Sequence, residues 1–310
     1  MGAFRFFDKN TKLISLDAKD PLTVKDVRAF QHCIEQLQSG EKIHDSDFFN
    51  IVLFGSSLGG ARPKLSVIDA DNTLWLAKFS SIHDTYDNPA REAISLYLAK
   101  KCLLNVPSFK IIPIDKGRSV LLVKRFDRND NERIYFLSAK TFLHAKDGES
   151  SKFSYLDIAS IIESNSLQTT SCDLQEIYKR LIFNVIIGNK DDHLRNHGFL
   201  YRENGWQLSP VYDVEIDPDK ASHALALDDE GSLSCSLEDI LRVSEYYGLS
   251  YDIAKDIVLS IAKIVFNWKQ AALELNIPGS SVKKMPDYDE YVDEVNRLVR
   301  YKKIVDQTHA

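Results

Sequence analysis

In "GNKDDHLRNHGFLYRENGWQLSPVYD", residues 188–213, Asp191 stands five positions before Asn196, and Asp213 closes the stretch. An aspartate that can take the proton of a hydroxyl, beside an asparagine and a second carboxylate that can hold a magnesium ion, is a donor set for moving a phosphoryl group. Magnesium takes hard oxygen ligands, one or two from side chains and the rest from phosphates and water, so Asn196 plus Asp213 is a sufficient protein share. Asp192 is four residues from Asn196 and does not fit the spacing. Between Asn196 and Asp213, "GFLYR", a turn at Glu203-Asn204-Gly205, and "WQLSPVYD" read as a hairpin that carries Asp213 back beside the loop. A lone Asp-x-x-x-x-Asn would be read as polar turn residues; the hairpin and the second aspartate favour a site. His193 and His197 flank the loop and read as structural, satisfying buried loop carbonyls.

Upstream, Lys78 lies in the otherwise apolar strand "TLWLAKF", and Glu92 follows on the next helix. A lysine that holds nucleotide phosphates needs a carboxylate to orient it and keep it charged. Earlier still, "FGSSLGGARPKLSV", residues 54–67, supplies Gly55, Gly59 and Gly60, whose backbone freedom would let N–H groups converge on an anion. Gly55 and Gly60 are at Walker distance, but Ala61-Arg62 stands where Lys-Ser/Thr is needed, and no Gly-x-Gly-x-x-Gly can be read. By itself the loop is equally well a glycine-rich hairpin turn.

The elements that must position these residues divide unevenly. Residues 22–39 read as a helix, followed by the strand "FFNIVLF", the glycine loop, and strands "KLSVIDA" and "TLWLAKF" joined by Asp71-Asn72. "NPAREAISLYLAKKCLL" reads as a helix with Asn88 as N-cap, and strands "FKIIPID" and "SVLLVKRF" complete a small sheet. Beyond residue 128 the pattern is mostly helical: "TFLHA", "YLDIASIIES", "DLQEIYKRLIFNVIIG", the hairpin, then 237–246, 251–275 and 286–306. "DRNDNER" and "HAKDGESSK" read as solvated loops without chemistry. The expected architecture is an α/β N-terminal lobe over 1–127 and a mainly helical C-terminal lobe over 128–310, the order found in protein kinases.

A chain of 310 residues, 44% hydrophobic and 27% charged, has enough apolar content for one large core or two moderate ones. Its net charge of -6 argues against a nucleic-acid surface as the main business. Cys33, Cys102, Cys172 and Cys235 are widely spaced, without Cys-x-x-Cys, and read as reduced structural thiols of a cytoplasmic protein. No window approaches the ~18 apolar residues of a membrane span.

"FGSSLGGARPK", "LAKF", "KRFDR", "GNKDDHLRNHGFL" and "SPVYDV", in this order, resemble the HipA family of bacterial toxin serine/threonine kinases. The likeness spans residues 50 to about 215. It implies a protein-kinase-like fold that uses ATP and Mg2+, with Asp191 as base and Asn196 and Asp213 as metal ligands. It further implies ATP contacts from Ser56, Ser57, Gly59, Gly60, Ala61, Lys78 and Glu92, a hinge at Lys124 and Phe126 that meets adenine, and autophosphorylation on Ser57 or Ser56. The hinge departs from the usual Glu-Arg-Phe-Asp by beginning with Lys124. With some fifty residues ahead of the glycine loop, the chain looks most like the short HipT toxins of HipBST systems. That likeness implies a small HipS-like antitoxin and a HipB-like DNA-binding protein as partners, and an aminoacyl-tRNA synthetase as protein substrate, with no direct nucleic-acid or membrane binding. The same residues also suit a small-molecule kinase of the aminoglycoside or choline type, or a non-catalytic partner in a repressor complex.

Overall fold

A computed structural model describes residues 22–41 and 62–308, except 130–131, 167, 204, 217–219, 232, 234, 280–284 and 286–287. The expected strand "FFNIVLF" and the glycine loop, with Ser56, Ser57, Gly59, Gly60 and Ala61, lie outside the described residues. The chain forms two compact units, one from the described residues up to Ala93 with Pro107–Phe136, the other chiefly from Ile94–Val106 and Leu137–Glu274.

In the first unit, β1 (Lys64–Ile68), β2 (Leu74–Phe79), β3 (Phe109–Ile114) and β4 (Arg118–Lys124) form an antiparallel sheet in the order β1-β2-β4-β3. The β1–β2 turn is closed by its own polar residues. Asn72 takes a left-handed φ of 62°, and the Asp71 carboxylate accepts the Thr73 N–H at 3.0 Å. Trp75, Ala77 and Phe79 of β2 join Leu65, Val67, Val120 and Leu122 against Val27, Phe30 and Ile34 of α1 (Val27–Ser39). The two-residue period of a strand meets the helical period of α1 there, and each large side chain so buried contributes about 1.5–3 kcal/mol. The same alternation puts Leu74, Leu76 and Lys78 on the other face of β2. In β4, Ser119–Val123 are all buried, which is why this strand reads as an unbroken apolar run.

Helix α2 (Asn88–Lys101) starts one residue differently from expectation. Asp87, not Asn88, is the capping residue: its carboxylate accepts the Ala90 N–H at 3.4 Å and its carbonyl the Arg91 N–H at 3.0 Å. "DRNDNER" is not a plain loop either, since β5 (Arg128–Asn129) and β6 (Glu132–Arg133) pair within it.

The second unit is mainly helical. A short α3 (Ala139–Phe142) leads to α4 (Tyr155–Asn165) and α5 (Thr170–Ile187), the latter buried over most of its length from Leu174 onward. Strands β8 (Gly198–Arg202) and β9 (Gly205–Leu208) make the expected hairpin, and β7 (Phe136–Ser138) extends it to three strands. The expected helix over 237–246 is α6 (Leu237–Arg242) followed by a 3-10 turn that ends at Gly248, φ 70°. The span 251–275 is two helices, α7 (Tyr251–Val265) and α8 (Trp268–Glu274), with the break at Asn267, whose carbonyl starts α8 by accepting the Gln270 N–H. Helix α9 covers Asp289–Thr308. Among the described residues no helix is long and apolar enough to cross a membrane. Burial pushes the buried Cys102 and the half-buried Cys235 thiols up to about 12, which suits unreactive thiols.

Candidate active site

In the first unit, Lys78 Nζ donates to both carboxylate oxygens of Glu92, at 2.7 and 2.8 Å. The pairing follows from the local structure. Lys78 comes out on the face of β2 turned away from α1, and Glu92 sits in the first turns of α2 with its side chain 5% exposed. A lysine so held is aimed by its carboxylate partner.

The hinge sequence resolves around Asp127. This aspartate is 1% exposed and accepts Arg125 Nε and Nη2 at 2.8 and 2.6 Å and Arg128 Nη1 at 3.0 Å. Lys124 points its side chain outward, and its N–H donates to the Ser108 carbonyl while that of Arg125 donates to Leu74. Neither amide is left as a donor to a nucleotide. Phe126 is half-buried, 6.1 Å from the Phe136 ring.

In the second unit, helix α5 ends where the loop begins. Gly188 takes φ 77°, and the Asn189 N–H reaches back to the Asn184 carbonyl at 2.9 Å, a helix stop that only glycine makes without strain. The chain then turns through Asp191 to Asn196. Asn196 Nδ2 donates to the carbonyl of Asp191 at 3.3 Å and to that of Asp213 at 3.4 Å. One amide thus ties together all three residues singled out by their spacing. Asp213 is held at a left-handed φ of 59°, a conformation aspartate tolerates at some cost and one typical of over-determined functional positions.

What fixes Asp213 is the return from β9. Arg180, 3% exposed on α5, bonds Glu176 at 2.8 Å and the Ser209 carbonyl at 2.6 Å. The Val211 N–H bonds the Asn105 carbonyl at 2.8 Å, and the Tyr212 hydroxyl donates to the Arg195 carbonyl at 2.5 Å. The Asp191 carboxylate is 42% exposed and paired with Lys220. An exposed pair of that kind is worth about 0–1 kcal/mol, so the carboxylate is easily released to another partner.

Asp192, which the spacing sets aside, is the buried centre of the loop. It is 3% exposed and accepts from Tyr155 and from His197 Nε2 at 2.9 Å, while Asn184 Nδ2 bonds the Tyr155 oxygen at 3.0 Å. Burial alone would raise the Asp192 carboxyl, but the His197 charge and the two hydrogen bonds outweigh it and hold the group below its ordinary value. Burial, with the Asp192 charge beside it, pushes the Tyr155 phenol well above its ordinary range, so Tyr155 serves as a neutral donor. His197 therefore meets a carboxylate where a loop carbonyl was expected. His193 Nδ1 is buried with no hydrogen-bond partner among the described residues. The sequence did carry a signal for this network: Asn184 interrupts the apolar run "LIFNVII", and a polar residue there requires a partner. Below the loop, Asp192, Asn196 and His197 border a cavity of about 10 Å3, room for one water.

Among the described residues no group of three His, Cys, Asp or Glu side chains could hold a metal ion. The donor set fits a hard cation that arrives with phosphates, because Asn196 and Asp213 supply two oxygens and no soft ligand.

A four-stranded antiparallel sheet bearing a lysine–glutamate pair, followed by a helical unit whose hairpin brings Asp191, Asn196 and Asp213 together, is the protein-kinase-like fold in the form seen in HipA. The Shewanella oneidensis toxin-antitoxin complex of HipA, HipB and operator DNA contains a chain that matches with a TM-score of 0.62 over 93% of this chain and 72% of that one, at 19% identity. The model of the HipA-like C-terminal domain matches residues 56–269, and the chain belongs to that family. The serine/threonine-protein kinase toxin HipA of Shewanella oneidensis is 27% identical over 207 residues, 56% of this chain and 47% of the toxin. Relatives from Sinorhizobium fredii and Haemophilus influenzae, named as kinases, are 27% and 26% identical over 45% and 53% of this chain. The chain spans between 36% and 54% of the length of these three relatives.

Proposed function

We propose that this chain is an ATP-dependent serine/threonine protein kinase of toxin-antitoxin type. The observation that carries the reading is the single amide of Asn196 bonded to the backbone of both Asp191 and Asp213. In this reading Asp191 leaves Lys220 and accepts the proton of a serine hydroxyl. That oxygen bonds to the γ-phosphorus as the bond from phosphorus to the bridging oxygen of the leaving ADP breaks. Lys78, aimed by Glu92, holds phosphate oxygens. Asn196 and Asp213 would hold Mg2+, which when bound neutralises phosphate charge. The division of labour between an ATP-binding lobe over 1–127 and a catalytic lobe over 128–310 belongs to the same proposal, as do autophosphorylation on Ser57 or Ser56, a HipB-like partner and an aminoacyl-tRNA synthetase substrate. The toxin role leans on the named HipA relative and on the fold it shares.

The test is labelled phosphate transfer from ATP by the purified chain and by Asp191→Asn, with peptide mapping of the products. Transfer to serine by the first and none by the second, with unchanged folding, is the expected result. Transfer at wild-type rate by Asp191→Asn would remove the assigned base, and transfer only to a small-molecule acceptor would place the chain with metabolite kinases.

A further inference from the structure

The segment 144–152, "HAKDGESSK", reads in sequence as a solvated loop, but in the structure it walls a cavity of about 240 Å3 whose other side is the catalytic loop. Lys140, Lys146 and Arg195 face it with one carboxylate, Asp147, and with Ser150 and His193. His193 and Arg195 are loop residues between Asp191 and Asn196. The loop thus turns Asp192 and Asn196 inward to one cavity and His193 and Arg195 outward to another.

The two walls are joined by backbone and hydroxyl bonds. The Ala139 N–H donates to the His197 carbonyl at 2.8 Å and the Lys140 N–H to Leu194 at 3.2 Å, while Ser150 Oγ accepts the Leu194 N–H at 3.4 Å. The Ser150 hydroxyl proton is therefore left to donate elsewhere. Asp147 shows what the wall attracts. Its carboxylate is 72% exposed, on a surface turn closed by Gly148, and one of its oxygens takes both Lys140 and Arg195 at once. With that carboxylate in place, three cations against one anion still leave the cavity positive. Its volume is several times that of a water molecule, about 30 Å3, and admits the charged end of a side chain.

We propose that this cavity binds a carboxylate or phosphoryl group carried by the protein acceptor near the serine that receives phosphate, so that the chain selects serines in acidic or already phosphorylated surroundings. The inference rests on the kinase reading. Asp147 acts as an internal stand-in that an incoming oxyanion displaces, and Lys146, exposed at the rim, is the cation that Asp147 does not bond.

Matched fluorescent serine peptides carrying Glu, phosphoserine, Gln or Lys two to four residues from the serine would be titrated into the full chain bearing Asp191→Asn, which allows binding without turnover. The Glu or phosphoserine peptide should bind about tenfold more tightly than the Gln peptide, the worth of one charge-assisted hydrogen bond. Adding Lys146→Glu should erase that preference, and adding Asp147→Asn should enlarge it by freeing Lys140 and Arg195. Preference for Glu identifies a carboxylate source, and preference for phosphoserine alone a phosphoryl source. Equal binding of all four peptides, or a preference indifferent to both variants, would overturn the site, as would competition by inorganic phosphate without any peptide preference. Failure of the unmutated chain to transfer phosphate would instead defeat the kinase reading, because the peptide titration does not depend on turnover.

Discussion

Asp192→Asn is the perturbation that most directly tests how the loop is held. The variant keeps the size of the side chain and an oxygen for the Tyr155 hydroxyl, but removes the charge that faces His197 Nε2 at 2.9 Å. The two groups are only 3% and 2% exposed, so the bond between them is made away from water. Its loss is of the order of a charged hydrogen bond, about 1.5–3 kcal/mol. In a unit of this size that lowers the melting temperature by roughly 3–12 °C. Asp191 and Asn196 flank the buried group, and a displacement of about 1 Å at reacting atoms costs up to roughly 100-fold in rate. Differential scanning fluorimetry and denaturant titration of Asp192→Asn, His197→Gln and the double variant provide the assay, with phosphate transfer measured alongside. A coupling energy near 2 kcal/mol is expected from the cycle. Melting temperatures within 1 °C of wild type for both single variants, with additive effects, would refute the idea that this pair holds the loop.

The folded Asp192 carboxyl lies below its unfolded value of 3.8, so its contribution is fully present above that value and is lost as pH falls through the folded one. The stability gap between wild type and Asp192→Asn, measured by urea titration, should accordingly shrink as pH falls below about 4; a gap that widens between about pH 5 and 3 would reverse the assigned sign. Lys78→Met leaves the buried Glu92 carboxylate without its lysine and should cost about 3 kcal/mol, with most of the loss recovered in the double variant with Glu92→Gln; chemical denaturation decides. Asp213→Gly accepts the left-handed φ of 59° and should hold stability within about 1 kcal/mol, whereas Asp213→Val should cost roughly 1–2 kcal/mol more. Both should lose magnesium-dependent nucleotide affinity by calorimetry, and full MgATP affinity in either would make Asp213 merely structural. Arg180→Met removes the partner of the buried Ser209 carbonyl and one partner of Glu176 and should lower stability by about 1–3 kcal/mol in urea, displacing the segment that carries Asp213.

Much of this protein was legible residue by residue. Alternation of Trp75, Ala77 and Phe79 with Leu74, Leu76 and Lys78 fixes which side of β2 the lysine takes, because a strand has period two. The five-residue step from Asp191 to Asn196 and the patterned hairpin announce that the chain returns to bring Asp213 beside the loop, because short loops leave few paths. Helix ends were less certain: Asp87 caps α2 in place of Asn88, its neighbour of similar capping power, and Asn267 divides 251–275 inside an otherwise unbroken helical pattern. Tertiary structure alone decided which of two adjacent aspartates is buried. Asp191 and Asp192 are indistinguishable as types, and only the approach of Tyr155 from α4 and of His197 from the far end of the loop makes a low-dielectric pocket in which one carboxylate must be paired while the other stays in water. In the same way "HAKDGESSK" is a charged loop by composition. It becomes the wall of a basic cavity because the backbone bonds of Ala139 and Lys140 to the catalytic loop bring it there, across some fifty residues of chain that no local pattern spans.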